Sequence, residues 1–309
     1  MTGPRRDPRR DHSQNRMRGG VAMKVGIVGL GIMGSAYARN LVKAGVSVEG
    51  ADPSEAAREK AAGLGAVAHE KVGPWLADCD FVILSLISPG VLIEVAGELA
   101  QVLKPGQIVL DTGTFALADK LAAKEALEPA GAVLLDCTVS GTGAQAWEAD
   151  LVFMASGPAD AVRGATPMLE RISKSVIHAG EFGAGIAMKF VANHAVALHN
   201  AAAAETLHYA EALGLDLQLV YRMLSGGAGQ SKMSDLRLPL MIEQRYEPPT
   251  ASLKMFEKDL RVIGEDLAAH GLDLPIFDAV RALYKEADRT LPESYDTAAV
   301  YEVYRASGS

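Results

Sequence analysis

The sequence predicts an α/β protein in two parts: an N-terminal domain on a mostly parallel sheet, then an all-α C-terminal domain, joined by one long helix. Three observations predict it. From Lys24 to His178 short apolar runs alternate with amphipathic stretches, as strands of a parallel sheet alternate with crossover helices. Strand patterns then stop, and the chain from Ile186 onward is almost wholly helical in pattern. Between the two, Ile186 to Leu213 is rich in Ala, Val, Leu, Met and Phe, and about 28 helical residues would run roughly 42 Å.

Composition sets the outer limits. At 309 residues and 49% hydrophobic, the chain can bury a large core and divides naturally into two domains. A net charge of -8 with no basic stripe in the body argues against nucleic acid and membrane surfaces as partners, so an anionic ligand must be held locally. No run of apolar residues reaches the length of a membrane span. The two cysteines, Cys79 and Cys137, sit in apolar strand-like contexts, which suits inert core residues in a reducing, cytoplasmic setting without a disulfide framework. Residues 1–22 hold six Arg, two Asp and hardly any large apolar side chain, and are expected to form a disordered basic arm or sequence upstream of a start near Met17 or Met23. The domains are then 23–184 and 185–309, with the boundary among the glycines at 183–185.

The elements follow in order. Lys24 to Gly29 reads as a strand ending in glycine, with a helix continuing to Ala44. Val46 to Ala51 is a second strand, Pro53 to Leu64 a helix, Val67-Ala68 a short strand and Phe81 to Leu86 a buried one. A helix follows Ser88-Pro-Gly90, then Ile108 to Asp111 as strand and Ala116 to Leu127 as helix. Val133 to Asp136, Leu151 to Met154 and Ser175 to His178 are the last strands, with a helix over Ala161 to Ile172. After the long helix come helices near Leu217–Leu224, Ser234–Gln244, Ala251–His270 and Leu274–Ala287.

Gly29-Leu-Gly31-Ile32-Met33-Gly34 matches the dinucleotide fingerprint: the first glycine turns, the second admits a pyrophosphate to the backbone, the third packs helix on strand. It follows a strand and opens a helix, which makes the domain Rossmann-like. Asp52 ends the second strand at the spacing expected of a carboxylate that bonds a ribose 2′-hydroxyl. That charge would repel a 2′-phosphate, and Pro53 rather than Arg follows it, so NAD is expected over NADP. Ser88 and Thr114 lie in loops at strand C-termini, where ligands sit in open α/β sheets, and these loops are expected to flank the nicotinamide, although an ordinary turn hydrogen bond is the commoner role for either residue.

Lys189 and Asn193, one helical turn apart, stand on one face of the long apolar helix. A lysine whose stem packs on apolar surface while its ammonium reaches water is the bland alternative to a catalytic one. A dinucleotide loop in the same chain and the glycines that place Lys189 at the domain junction favour the catalytic reading. Histidines do not compete: His194, His199 and His208 lack the i, i+4 spacing of a helical metal site, and no metal is expected.

Taken together, Gly29 to Gly34 with the helix through Ala38-Arg-Asn-Leu-Val-Lys-Ala-Gly45, Asp136-Cys-Thr-Val-Ser-Gly141, and Gly183 to Asn193 resemble the 3-hydroxyisobutyrate dehydrogenase family of β-hydroxyacid dehydrogenases, relatives of 6-phosphogluconate dehydrogenase. The resemblance runs from about Met23 into the C-terminal helices. It implies Lys189 as catalytic lysine, Asn193 as a substrate-binding residue, Ser140, Gly141 and Thr142 as a cradle for the substrate carboxylate, and Lys258 as a lysine that approaches the cofactor. It also implies a homodimer or homotetramer built through the helical domain. The chain departs from the family at Cys137, Thr138, Thr142, Gln145 and Ala149, the last three standing where the family has glycine. Thr142, Gln145 and Trp147 are expected near the substrate tail, and a positive φ at Thr142 would strain its β-branch.

The function expected is interconversion of a small 3-hydroxy acid with its semialdehyde or 3-oxo acid, using NAD with NADP as the alternative cofactor. Two other readings stand beside it: an imine reductase-like NAD(P)H oxidoreductase, and a dinucleotide-binding module without activity. Both usually lack the lysine at position 189.

Overall fold

The structure is a computed structural model and describes residues 23–307, so the predicted basic arm at 1–22 lies outside the described residues. Eight strands form one sheet: β1 Lys24–Val28, β2 Ser47–Ala51, β3 Val67–His69, β4 Phe81–Leu84, β5 Ile108–Asp111, β6 Val133–Ser140, β7 Val152–Ser156 and β8 Ser175–Gly180. Their order is β3-β2-β1-β4-β5-β6-β7-β8, parallel throughout except that β6 and β7 run antiparallel. Helices α1 Ile32–Lys43, α2 Glu55–Gly63, α3 Pro89–Leu99, α4 Leu117–Leu127, α5 Gly143–Trp147 and α6 Ala159–Leu169 accompany the sheet.

Both faces of the sheet are covered, which is why its central strands read as unbroken apolar runs. Ile83 of β4 joins a core with Tyr37 and Leu41 of α1 and Met168 of α6, while Val82 and Leu84 point into a second core with Leu92 and Leu99 of α3 and Leu127 of α4. The strand order reverses between β1 and β4, and the crevice beyond their C-terminal ends is where such sheets receive ligands.

β6 is longer than its sequence pattern suggested, and it changes partner partway. Its first half pairs with β5, from Ile108↔Val133 to Asp111↔Asp136, and its second half pairs with β7, from Asp136↔Ser156 to Ser140↔Val152. Asp136 is the residue shared by both pairings.

The 29-residue helix α7, Ala184–Ala212, starts on this junction and leaves the sheet. Around it pack α8 Leu217–Ser225, α9 Lys232–Glu243, α10 Leu253–Ala269, α11 Pro275–Thr290 and α12 Tyr301–Ser307. Their core, with Phe190, Ala204 and Leu207 of α7 against Leu238, Leu260, Phe277 and Tyr284, is separate from the two sheet cores. Asn200 is part of it, its Nδ2 donating to Thr297 Oγ1 at 3.4 Å. The short helices α5 and α12 have no counterpart in the sequence expectations, since five and seven residues are too few to display a helical period. No helix among the described residues is long and apolar enough to cross a membrane.

Candidate active site

The glycine-rich loop has three glycines doing three different things. Gly29 has φ +93°, and any Cβ there would collide with the carbonyl of Ser85; a Cβ on Gly34 would collide with the carbonyl of Gly29. A Cβ on Gly31 would meet nothing within 4 Å, so its outer side is open. Gly31 also begins α1 without any side-chain cap, which leaves first-turn N–H groups directed at that open side. Ile32 is exposed and Met33 half-buried beside it. A pyrophosphate fits this loop on geometry alone.

Asp52 reaches back from the end of β2 to the same loop. Its Oδ2 accepts from Leu30 N at 2.7 Å and its Oδ1 from Ser54 N at 2.8 Å. Beside it, Arg58 Nη1 donates to the carbonyls of Asp52 and Pro53 at 2.8 and 2.9 Å, a guanidinium that the sequence expectations missed because it stands on α2 rather than directly after the strand.

Ser88 caps α3, its hydroxyl accepting from Val91 N at 3.4 Å, so the ordinary turn role holds for its side chain. Thr114 lies at the other side of the crevice. Its carbonyl accepts from Lys258 Nζ at 3.0 Å, which docks α10 onto the sheet domain; Phe115 lies under the same ammonium, with its ring centre 5.5 Å away.

Lys189 is half-buried on α7. Desolvation holds its ammonium below the usual lysine range; the carboxylate of Asp259 opposes that shift and the positive charge of Lys258 reinforces it. One turn on, Asn193 is buried and donates through Nδ2 to Asp259 Oδ2 at 2.9 Å. Asp259 Oδ1 lies 3.0 Å from Lys258 Nζ. Asn193 and Lys258 thus meet at one carboxylate on α10, whose charge also acts on Lys189, and Asp259 is a candidate site residue that no spacing in the sequence revealed.

The turn after β6 differs from expectation. Gly141 carries the positive φ, +138°, and Thr142 is extended at φ -96°, so its β-branch is unstrained. Thr142 and Gln145 form a reciprocal capping box for α5, in which Thr142 N donates to Gln145 Oε1 at 3.0 Å. The Thr142 N–H expected to face a substrate carboxylate is therefore engaged within the chain. Ser140 Oγ makes no hydrogen bond among the described residues. Gly143 lies against the cofactor loop, where a Cβ would approach Ile32 Cγ2 to 2.5 Å. Trp147 does not face the site: its ring lies under the Arg39 guanidinium at 4.4 Å and near Lys60 Nζ at 5.5 Å, on the α1 and α2 side. The expectation that it borders the substrate tail is corrected by that cation–π contact.

His194, next to Asn193, stacks on Phe277 with ring centres 4.9 Å apart. Cys79 and Cys137 are both free and buried, and burial pushes the Cys79 thiol up to about 11. Among the described residues no group of three or more His, Cys, Asp or Glu side chains is arranged to hold a metal ion.

Residues 24–180 match the family described as the NAD binding domain of 6-phosphogluconate dehydrogenase, and residues 183–304 match the one described as NAD-binding of NADP-dependent 3-hydroxyisobutyrate dehydrogenase. The chain is 31% identical over 290 residues to glyoxylate/succinic semialdehyde reductase 2 of Arabidopsis thaliana, covering 93% of this chain and 81% of that one. It is 30% identical over 294 residues to L-threonate dehydrogenase of Escherichia coli K12, covering 93% and 97%. The solved 3-hydroxyisobutyrate dehydrogenase of Mycobacterium tuberculosis with L-serine superposes with a TM-score of 0.85 at 28% identity, over 92% of this chain and all of that one. With two families matched end to end and both domains reproduced in a solved relative, the chain belongs to the 3-hydroxyisobutyrate dehydrogenase family of NAD(P)-dependent hydroxy acid dehydrogenases.

Proposed function

We propose that the chain oxidises a small 3-hydroxy acid to its semialdehyde or 3-oxo acid, and reduces it back, with Lys189 as general acid/base. The observation that carries this is the amine of Lys189, held below its usual range by burial one turn from the Asn193–Asp259 bond. When bound, the nicotinamide cofactor accepts a hydride from the carbon bearing the hydroxyl. The proton of that hydroxyl must leave in the same step, and a neutral lysine amine is a competent acceptor. On the reductive stroke the resulting ammonium returns it.

Asn193 orients the substrate, and its bond to Asp259 limits how its amide can turn. Ser140 and the N–H of Gly141 hold the carboxylate, with Thr142 contributing only where Gln145 yields. Gly29, Gly31, Ile32, Met33 and Gly34 hold the pyrophosphate, with Asp52 on the ribose and Ser88, Thr114 and Lys258 around the nicotinamide half. The carboxylate of Asp52 favours NAD over NADP. The exposed Leu215, Leu219 and Met223, on and just before α8, support a homodimer or homotetramer built through the helical domain. Two buried free thiols suit a cytoplasmic protein.

The test is reduced-cofactor formation from a panel of 3-hydroxy acids, with cofactor binding measured separately. Turnover of at least one acid is expected. Binding without any turnover would favour the module without activity, and turnover of cyclic imines alone would favour an imine reductase.

A further inference from the structure

Lys120 is fully buried, on the face of α4 that also buries Ala123 and Leu127. A lysine has no packing advantage at such a position. Its ammonium lies 2.6 Å from Asp111 Oδ2 and 2.9 Å from Asp136 Oδ1. Burial works against that charge, but the two carboxylates outweigh it and hold the ammonium above its ordinary range.

Each carboxylate uses its other oxygen on the backbone. Asp111 Oδ1 accepts from Gly113 N at 3.0 Å, which shapes the turn leading to Thr114 and hence the seat of Lys258. Asp136 Oδ2 accepts from Ile186 N at 2.7 Å and from Ser156 Oγ at 3.1 Å. Ser156 Oγ accepts from Gly185 N at 3.0 Å, and Thr138 Oγ1 donates to the Gly185 carbonyl at 2.7 Å. There is no slack at Gly185, where a Cβ would lie 2.5 Å from the carbonyl oxygen of Met154. Burial pushes the Asp111 carboxyl up while Lys120 opposes that shift, and the positive end of the α7 dipole meets the Asp136 carboxylate through Ile186 N.

We propose that Lys120 is a positioning residue: it locks the Asp111–Thr114 turn and the first turn of α7 into one relation, which fixes Lys189 and Lys258 across the same cleft. This rests on the assignment of Lys189 above. A buried ion triad is commonly no more stabilising than apolar side chains of the same volume, so what this one supplies is geometry.

The test uses the full chain with Lys120→Met and Asp111→Asn. Asp111→Asn keeps an acceptor for Gly113 N and leaves Lys120 paired with Asp136, so it remains informative if Lys120→Met does not fold. In folded variants, KM and the Kd for NADH should stay within about threefold while kcat falls about 100-fold in Lys120→Met and about tenfold in Asp111→Asn. Amide exchange over residues 184–193 should quicken about tenfold while α9 and α11 keep theirs. A folded variant with wild-type kcat, or unchanged exchange over 184–193, overturns the proposal. If the wild type turns over no hydroxy acid, the functional assignment falls and the exchange result alone decides. Turnover surviving in Lys189→Met would overturn the assignment of Lys189 alone, and exchange over 184–193 would still decide for Lys120.

Discussion

Asn193 Nδ2 donates to Asp259 Oδ2 across 2.9 Å, joining the helix that carries Lys189 to the helix that carries Lys258. The shared carboxylate makes the two lysines electrostatically dependent on one another, and the first prediction follows from its sign.

Lys189 is depressed from the ordinary lysine value of 10.5, so its neutral form becomes available at lower pH than usual. Oxidation needs that neutral amine and should rise through a limb below 10.5, whereas reduction needs the ammonium and should fall over the same interval. Asp259→Asn removes the charge that favours the ammonium and should move the limb down. Lys258→Met removes the charge that disfavours it and should move the limb up. Rate profiles against pH that shift in the same direction for both variants would contradict an electrostatic origin.

Gln145 holds the Thr142 N–H that the substrate carboxylate would use. Gln145→Met frees the donor and should lower KM for a hydroxy acid about fivefold, the worth of roughly 1 kcal/mol for one hydrogen bond. Gln145→Glu keeps the capping box but adds a like charge, and should raise KM by a similar factor or more. The methyl ester of the same acid should respond much less. Equal KM values in the two variants would remove Thr142 from the cradle.

Ala149 has φ +54° just after α5, where Ala149 N bonds the Ala146 carbonyl and Asp150 N bonds the Gln145 carbonyl. This is the helix-end motif that favours glycine at its left-handed residue. Ala149→Gly should therefore stabilise the fold by about 1 kcal/mol, visible as a raised Tm in thermal unfolding. A lowered Tm would show that the side chain is better accommodated than its backbone angle implies.

With Asp52 on the ribose as proposed, cofactor choice turns on Asp52 and Arg58. With Asp52→Asn, the charge facing a 2′-phosphate is gone while the guanidinium of Arg58 remains at the carbonyls of Asp52 and Pro53. The NADP to NAD ratio of kcat/KM should rise about tenfold, and Arg58→Met in that background should cancel the gain. A ratio indifferent to both substitutions would place the ribose elsewhere.

What the sequence made legible was local. The strand, turn and helix around Gly29 to Gly34 depend on neighbours in the chain, and the long apolar composition of α7 announces itself. Nonlocal features were hidden. Nothing near Val133 to Ser140 states that the strand will trade β5 for an antiparallel β7 at Asp136, because both partners lie far along the chain. Lys120 sits among alanines and a second lysine, and only the placement of two distant strand ends shows it to be buried rather than solvated. Asp259 likewise gained its meaning from Asn193, 66 residues away. Trp147 was misplaced because a five-residue helix turned it toward Arg39.

The most direct measurement is kcat for Lys189→Met on the 3-hydroxy acid that the wild type oxidises fastest, with the Kd for NADH determined on the same protein. Loss of the general acid/base should cut kcat by about a thousandfold while the Kd stays within about threefold. A kcat close to the wild-type value would contradict the role of Lys189.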